Sequence, residues 1–253
     1  MGTNYARVFQ DIGAVDKYEH RTYAPGSYAS SINERQRVYL RELVRSAFPD
    51  RPPVQHDFAC GTGRAIRNLD GLVREAHGYD TSADMLAKAV ELHTPARLHA
   101  VAADGPVPRP ATAEGPALVT MFRLLLNVDD TVRDRALAFA ARVLPDADAG
   151  LLVIENHGNA RSLRHLRAHR HRGHRWFAEL SHDDVAGLLR RHAFEIVARR
   201  GFSMLTQGWY ERRGLDRLAR GVDSAARLVP GADRYAVNVV YVARRVLADT
   251  QGL

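Results

Sequence analysis

Cysteine is nearly absent from this sequence, since the only one is Cys60. A single cysteine cannot form an intrachain disulfide, and it excludes a zinc site built from cysteine ligands. The sequence also lacks an apolar stretch long enough to cross a membrane, and its N-terminal residues lack the apolar run of a signal peptide. These absences predict a cytoplasmic protein that neither spans a membrane nor is exported.

Acidic residues are outnumbered by basic ones, 29 against 36, which gives a formal net charge of +7. Such a balance favours anionic partners without identifying them, so nucleic acid, an acidic membrane surface and small anions all stay open at this point. The 253 residues are 45% hydrophobic, which is enough for one sizeable core. We therefore expect one domain with additions.

The chain alternates between strand and helix patterns. Residues 54–59 are predicted to form a short strand. A glycine-containing turn follows at 60–63, and a helical pattern comes after it. Further strands are predicted at 75–80, 97–104, 117–122, 151–156, 194–202 and 235–245. This alternation implies parallel pairing and predicts an α/β fold with an open sheet covered by helices on both faces.

Two helices can be described in more detail from the sequence. Ser181 is followed three residues later by Asp184, a spacing typical of a helix N-terminal cap. Residues 215–229 form an amphipathic pattern with one apolar face. The members of that face are Leu215, Leu218, Val222, Ala225 and Val229.

Carboxylates follow the first three strands. Ligands on an open parallel sheet bind at the carboxyl ends of the strands, so these positions matter most. After Asp57, the glycines Gly61 and Gly63 let the backbone and helix N-terminal amides approach a ligand. Asp80 is placed to accept hydrogen bonds from a ribose diol, and Asp104 from an adenine amino group.

Three segments in this order resemble the motifs of class I S-adenosylmethionine-dependent methyltransferases. They are residues 57–64 (DFACGTGR), 78–86 (GYDTSADML) and 103–104 (AD). The resemblance covers roughly residues 35 to 245 and is closest to the ubiquinone/menaquinone-biosynthesis type. Ala59 departs from the pattern, because a glycine is common there.

A nicotinamide-dependent oxidoreductase is the competing interpretation, but the third glycine of its motif would fall near Ile66.

The resemblance implies a Rossmann-like, mostly parallel seven-stranded sheet with an N-terminal helical lid. It divides the chain into a lid at 1–33, a methyltransferase domain at 34–246 and a tail at 247–253, with acceptor-side insertions at 158–180 and 203–232. S-adenosylmethionine is the implied cofactor. The implied cofactor-binding residues are Asp57, Ala59, Gly61, Gly63, Asp80, Thr81, Met85, Ala103, Asp104 and Phe122. Cys60 reads as a small packed residue of the first motif.

The candidate acceptor residues form two groups. One group follows the fourth and fifth strands, and the other lies in the N-terminal segment. His157 could act as a general base, or it could be a loop histidine bonded to backbone. Arg123 and Asn127 could contact the acceptor, or cap the next helix and pair with Asp129 or Asp130. The N-terminal aromatic residues read as a closing lid, with scattered surface aromatics as the alternative. They are Tyr18, His20, Tyr23 and Tyr28.

The Arg/His segment, residues 161–175, is dense in arginine and histidine. It could be a solvated basic face, a pocket for an anionic acceptor or an RNA contact, and the absence of an appended RNA-binding module disfavours the last. His165, His169 and His171 have a spacing that could bind metal, but no flanking carboxylate orients their rings. We expect no metal site.

The sequence as a whole predicts a methyltransferase that acts on oxygen or nitrogen of a small polar or anionic metabolite. The alternatives left open are a carbon methyltransferase of the quinone-biosynthesis type, an RNA methyltransferase and a cofactor-binding protein without catalysis. The sequence favours a small-molecule acceptor over nucleic acid, predicts no membrane partner, and leaves monomer and homodimer open.

Overall fold

The computed structural model describes residues 24, 26–111, 114–168, 179–212 and 214–246. Seven strands form one sheet in the order β3-β2-β1-β4-β5-β7-β6. The strands are β1 Val54–Phe58, β2 Glu75–Asp80, β3 Arg97–Ala100, β4 Ala117–Met121, β5 Gly150–Asn156, β6 Phe194–Phe202 and β7 Asn238–Arg245. Strands β1 to β5 pair in parallel, whereas β7 is antiparallel to both β5 and β6. The predicted Rossmann-like, mostly parallel α/β fold is confirmed.

Helices lie between most of the strands. They are α1 Tyr28–Ala47, α2 Arg64–Leu69, α3 Ala83–Glu91, α4 Asp130–Val143, α5 Leu163–Ala168, α6 His182–Arg191, α7 Gln207–Glu211 and α8 Leu215–Ala226, with a 3₁₀ turn at Ala232–Tyr235. The cap predicted at Ser181 is present: its hydroxyl accepts from the Asp184 amide, and the Asp184 carboxylate accepts from the Ser181 amide. None of the helices in the described ranges could span a bilayer.

The core has two layers, one on each face of the sheet. Alternate residues of the fully buried strands β4 and β5 divide between them, because successive side chains of a strand point to opposite faces. Leu118 and Val153 pack with α1 residues such as Leu40, whereas Val119 and Ile154 pack with α4 and α6. Coverage on both faces explains why most residues of these strands are apolar.

Helix α8 forms where the pattern predicts it, but its apolar face is not buried. Leu218 is 61% exposed and Val229, just beyond the helix, 59% exposed, while the buried positions are Ala219 and Asp223. Asp223 explains this orientation, because its carboxylate accepts hydrogen bonds from the Arg35 guanidinium (2.6 Å), the Tyr210 hydroxyl (2.8 Å) and a backbone amide (2.7 Å). The inner side of α8 is therefore held by the hydrogen bonds of Asp223 together with the small buried side chain of Ala219.

Candidate functional site

The turn after β1 has an unusual backbone. Ala59, Gly61 and Gly63 all have positive φ, at 58°, 54° and 79°. Glycine tolerates this region, whereas an L-residue such as Ala59 pays a steric cost there. Gly63 is needed for space as well, since a Cβ would lie 2.4 Å from Thr94 Cγ2. Cys60 is buried in this turn, and burial raises the pKa of its thiol well above its usual value, which fits a packed residue.

Asp80 lies at the end of β2, beside this turn. One carboxylate oxygen accepts from the Gly61 amide at 2.7 Å and the other from the Ser82 amide at 2.9 Å. Burial raises the pKa of Asp80, and hydrogen bonds from backbone amides, including that of Thr81, oppose the rise. A carboxylate has about four acceptor positions, so these amides leave part of its capacity open. The Met85 sulfur lies 3.8 Å from the position that a Gly61 Cβ would occupy.

Asp57 lies beneath the turn and is buried. Its Oδ1 accepts from the Thr120 hydroxyl at 2.6 Å, which ties β1 to β4. Burial raises the pKa of Asp57 to about 7; the charge of Asp80 adds to this rise, and the Thr120 bond opposes it. Asp57 therefore supports the turn from within the sheet.

Strand β3 is shorter than predicted and ends at Ala100, not at residue 104. Strand β3 lies at the edge of the sheet and pairs with β2 alone. Because Ala100 pairs with Asp80, the last residue of β2, β3 has no strand to pair with beyond Ala100. Ala103 and Asp104 consequently lie in an exposed loop that starts beside Asp80. Phe122 is partly buried and packs with the α1 layer. The structure thus brings together Ala59 to Gly63, Asp80 and Met85, which we call the cofactor side.

His157 follows β5 at the same edge of the sheet. Its Nδ1 atom is buried and has no hydrogen-bond partner among the described residues. Burial lowers the pKa of His157 well below its usual value, and the charges of Arg123, Arg164 and Arg64 lower it further. Three guanidinium groups therefore act on one neutral imidazole. We call Tyr28, Arg64, Arg123, His157 and Arg164 the acceptor crevice, after the role that the sequence predicts for His157 and Arg123.

A buried network fixes the backbone of Arg123, which has a positive φ of 56°. Its amide donates to Glu155 Oε2 at 3.2 Å, and its carbonyl accepts from the Asn127 side chain at 2.5 Å. Gln36 of α1 donates to Glu155 Oε1 at 2.6 Å. Asn127, expected at the acceptor, is thus engaged in shaping the Arg123 turn.

Tyr28 is the one residue of the four predicted lid aromatics that lies within the described ranges; Tyr18, His20 and Tyr23 lie outside them. Its hydroxyl is 2.5 Å from Ser203 Oγ and accepts from Asn238 at 3.1 Å. The charge of Arg164 reaches both Tyr28 and His157. Helix α1 begins at Tyr28, so residues 28–33 of the predicted lid belong to a packed helix.

Several residues of this region were missed from the sequence. Glu155 gave one sign of a special role, because a carboxylate is unusual in a largely apolar strand. Gln36 gave no sign except its position between Ile32 and Leu40 on a buried helix face. Arg64 and Arg164 resemble any surface arginine in sequence. Their placement depends on how α2 and α5 pack.

The Arg/His segment is described only through residue 168. The His165 imidazole contacts the Glu179 carboxylate, whereas the sequence was expected to place no carboxylate beside these histidines. His169 and His171 lie outside the described residues. Among those described, no group of three metal-ligating side chains converges.

Comparison with known proteins agrees with this geometry. Residues 56–146 match a family model described as a methyltransferase domain. No curated protein matches the sequence.

Solved structures resemble the chain over nearly its whole length. A Thermotoga maritima S-adenosylmethionine-dependent methyltransferase, described as a possible histamine N-methyltransferase, has a TM-score of 0.60 at 15% identity and covers 95% of this chain and 99% of its own. Magnesium protoporphyrin IX methyltransferase from Synechocystis, with bound S-adenosylhomocysteine, has a TM-score of 0.58 at 14% identity and covers 95% and 97%. The cyclase SpnF has a TM-score of 0.53 at 17% identity and covers 88% and 83%. This chain therefore has the class I methyltransferase fold, and its residues 56–146 are similar to a methyltransferase domain.

Proposed function

We propose that the protein transfers a methyl group from S-adenosylmethionine to oxygen or nitrogen of a small anionic molecule. This proposal rests on the acceptor crevice. There the buried Nδ1 atom of His157 has no hydrogen-bond partner among the described residues, and the positive charges of three arginines help to lower the pKa of the imidazole. A buried polar atom without a partner is rare in folded proteins and suggests that a ligand completes its bonding.

The cofactor side fits S-adenosylmethionine. The acceptor capacity that Asp80 keeps suits the ribose hydroxyls, and the glycines of the Ala59 to Gly63 turn would let its backbone approach the methionine portion. Met85 would pack on the adenine, and Asp104 would reach its amino group from the exposed loop. When bound, this cofactor supplies an electrophilic methyl group on a sulfonium that is already a good leaving group. The protein's main task is then to hold the acceptor atom in line with it.

The crevice suits an anionic acceptor. Arginine binds carboxylate and phosphate through paired hydrogen bonds, and Arg123 and Arg164 face the same histidine from different elements. His157 stays neutral at neutral pH because its pKa is lowered, so it can accept a proton from a hydroxyl or amine. An acceptor that brings a negative charge would offset the arginines and strengthen His157 as a base.

Methyl transfer must be tested directly, because the fold is shared with a protein described as a cyclase. Calorimetry should show binding of S-adenosylmethionine or its demethylated product in preference to NAD. Labelled methyl transfer should then be measured across small carboxylates, phosphate esters and phenols. A preference for NAD, or labelling of RNA alone with strong salt dependence, would contradict the proposal.

Charge reversal separates the acceptor from the cofactor. Arg123→Glu should raise the acceptor KM at least tenfold while S-adenosylmethionine affinity changes little, because Arg123 belongs to the crevice alone. The matched control is Arg190→Glu, at an exposed position on α6. If both variants behave like the parent protein on the true acceptor, the acceptor binds elsewhere.

A further inference from the structure

One cavity is lined by no residue of the cofactor side or of the acceptor crevice. It is a cavity of about 180 Å³ between the end of β6, helix α8 and the 3₁₀ turn. Arg199, Arg200 and Arg227 line it together with Asp223 and Asp233. Its volume is sufficient for a group the size of phosphate or carboxylate.

The two carboxylates of this cavity are already neutralised. Asp223 forms an ion pair with Arg35 at 2.6 Å and accepts two further hydrogen bonds, and Asp233 forms an ion pair with Arg199. Neither Arg200 nor Arg227 has a carboxylate within ion-pair distance in the described part of the chain; the Arg200 guanidinium instead lies 5.6 Å from the Tyr39 ring centroid. Two positive charges beside the cavity thus have no carboxylate in direct contact among the described residues.

These charges act on each other. Burial lowers the pKa of Arg227, and the positive charges of Arg200 and Arg35 lower it further, with Asp223 and Glu42 opposing. A bound anion would relieve this repulsion, and the planar guanidinium groups match the oxygens of phosphate and carboxylate. The positive potential of the cavity and its chemistry therefore point to the same class of ligand.

We propose that Arg200 and Arg227 form a second anion-binding site, which takes a phosphate or a phosphate ester. Strand β6 runs parallel to β5, because each is antiparallel to β7, so the site lies toward the same edge of the sheet as the acceptor crevice. The phosphate could belong to a larger acceptor held by the crevice or to a separate small molecule. Both sources share the chemistry that these arginines recognise.

The test uses the full chain and inorganic phosphate, followed by phenyl phosphate. Calorimetry should show phosphate binding at low ionic strength, with at least a tenfold loss of affinity in Arg200→Gln and in Arg227→Gln. Arg217→Gln is the matched control, since Arg217 is exposed on the same helix but does not line the cavity. Arg200→Lys keeps the charge and should retain most of the binding if Arg200→Gln fails to fold.

The acceptor crevice provides the deciding comparison. If Arg123→Glu abolishes phosphate binding while Arg200→Gln and Arg227→Gln leave it unchanged, phosphate binds in the crevice and the second site is refuted. Equal affinity in the parent protein and all variants, or no binding, would also overturn it. Tighter binding of phenyl phosphate, lost in both the Arg200 and the Arg123 variants, would assign the phosphate to the acceptor itself. Loss in the Arg200 variant alone would support a separate ligand.

Discussion

The cofactor side and the acceptor crevice are built in different ways. On the cofactor side, three left-handed residues within five positions shape one turn, and the Asp80 carboxylate is held by backbone amides. The crevice instead collects side chains from α1, α2, α5 and the loops after β4 and β5. The matched family model ends at residue 146, before β5 and His157. A contiguous backbone site can be described by one motif, whereas a site assembled from distant side chains cannot.

The crevice should show the largest effect. His157→Ala should lower kcat about a hundredfold or more when the acceptor is a hydroxyl that must lose its proton, because a neutral imidazole is then the base. The loss should shrink at high pH, where the acceptor ionises unaided. Steady-state kinetics from pH 6 to pH 10 would measure this. An acceptor oxygen that is already ionised should show little dependence on His157, because no proton has to be removed from it.

A stack of histidines beneath the cofactor side should make the fold sensitive to acid. His56 stacks on His77 at 5.3 Å between ring centroids, and burial, followed by the charges of His77 and His99, lowers the pKa of His56 to about 4. The unfolded chain binds this proton near pH 6.5 but the folded chain does not. The contribution of His56 to the free energy of unfolding is therefore fully present above pH 6.5, and it falls by about 3 kcal/mol as the pH approaches 4.

Urea unfolding of the parent protein and of His56→Phe at pH 7 and pH 5 would measure this contribution. The variant should lose less stability between the two pH values than the parent does. His93→Asn, at an exposed position with a left-handed backbone, is the control and should behave like the parent. Identical pH dependence in all three proteins would show that His56 contributes nothing to acid sensitivity.

The cofactor side is tested by Asp80→Ala. The loss of two hydrogen bonds to the ribose diol, at roughly 1 to 1.5 kcal/mol each, should weaken S-adenosylmethionine binding by about ten- to a hundredfold. The acceptor KM should change little. Asp84→Ala, in the first turn of α3, is the nearby control. Unchanged affinity in calorimetry would refute the assignment of Asp80.

The smallest effect is expected from the turn itself. Ala59→Gly removes a left-handed penalty of about 1 to 2 kcal/mol but adds roughly 0.5 to 1 kcal/mol of unfolded-state entropy, so a gain of less than about 1 kcal/mol in stability is expected. Gly63→Ala should destabilise the protein instead, because its Cβ would meet Thr94. Chemical denaturation would measure both. A loss of stability in Ala59→Gly would mean that the alanine side chain contributes packing that outweighs its backbone cost.

Sequence reasoning succeeded where the physical signal is local. The alternation of strands and helices, the Ser181 cap and the glycine turn all follow from neighbouring residues. It was wrong about the end of β3, which stops because β2 ends. The helix α8 was predicted, but the local pattern carries no sign that its apolar face is exposed while Asp223 binds three donors on the inner side. The bond between Gln36 and Glu155 joins residues 119 positions apart and has no local signature.

Helix α1 has a consequence for how the molecule unfolds. On one side Asn33 accepts from Asn68 of α2 at 2.9 Å, and on the other Gln36 binds Glu155 and Arg35 binds Asp223. Because one helix is bonded both to α2, which follows the turn of the cofactor side, and to Glu155, which holds the Arg123 backbone of the acceptor crevice, the two regions should melt as a single cooperative unit. A fragment that ended before β5 would keep the glycine turn but would lose Glu155 and much of the surface that α1 covers. Two regions with different roles are thus joined into one thermodynamic domain by a helix that lies outside both the strands and the recognised motifs.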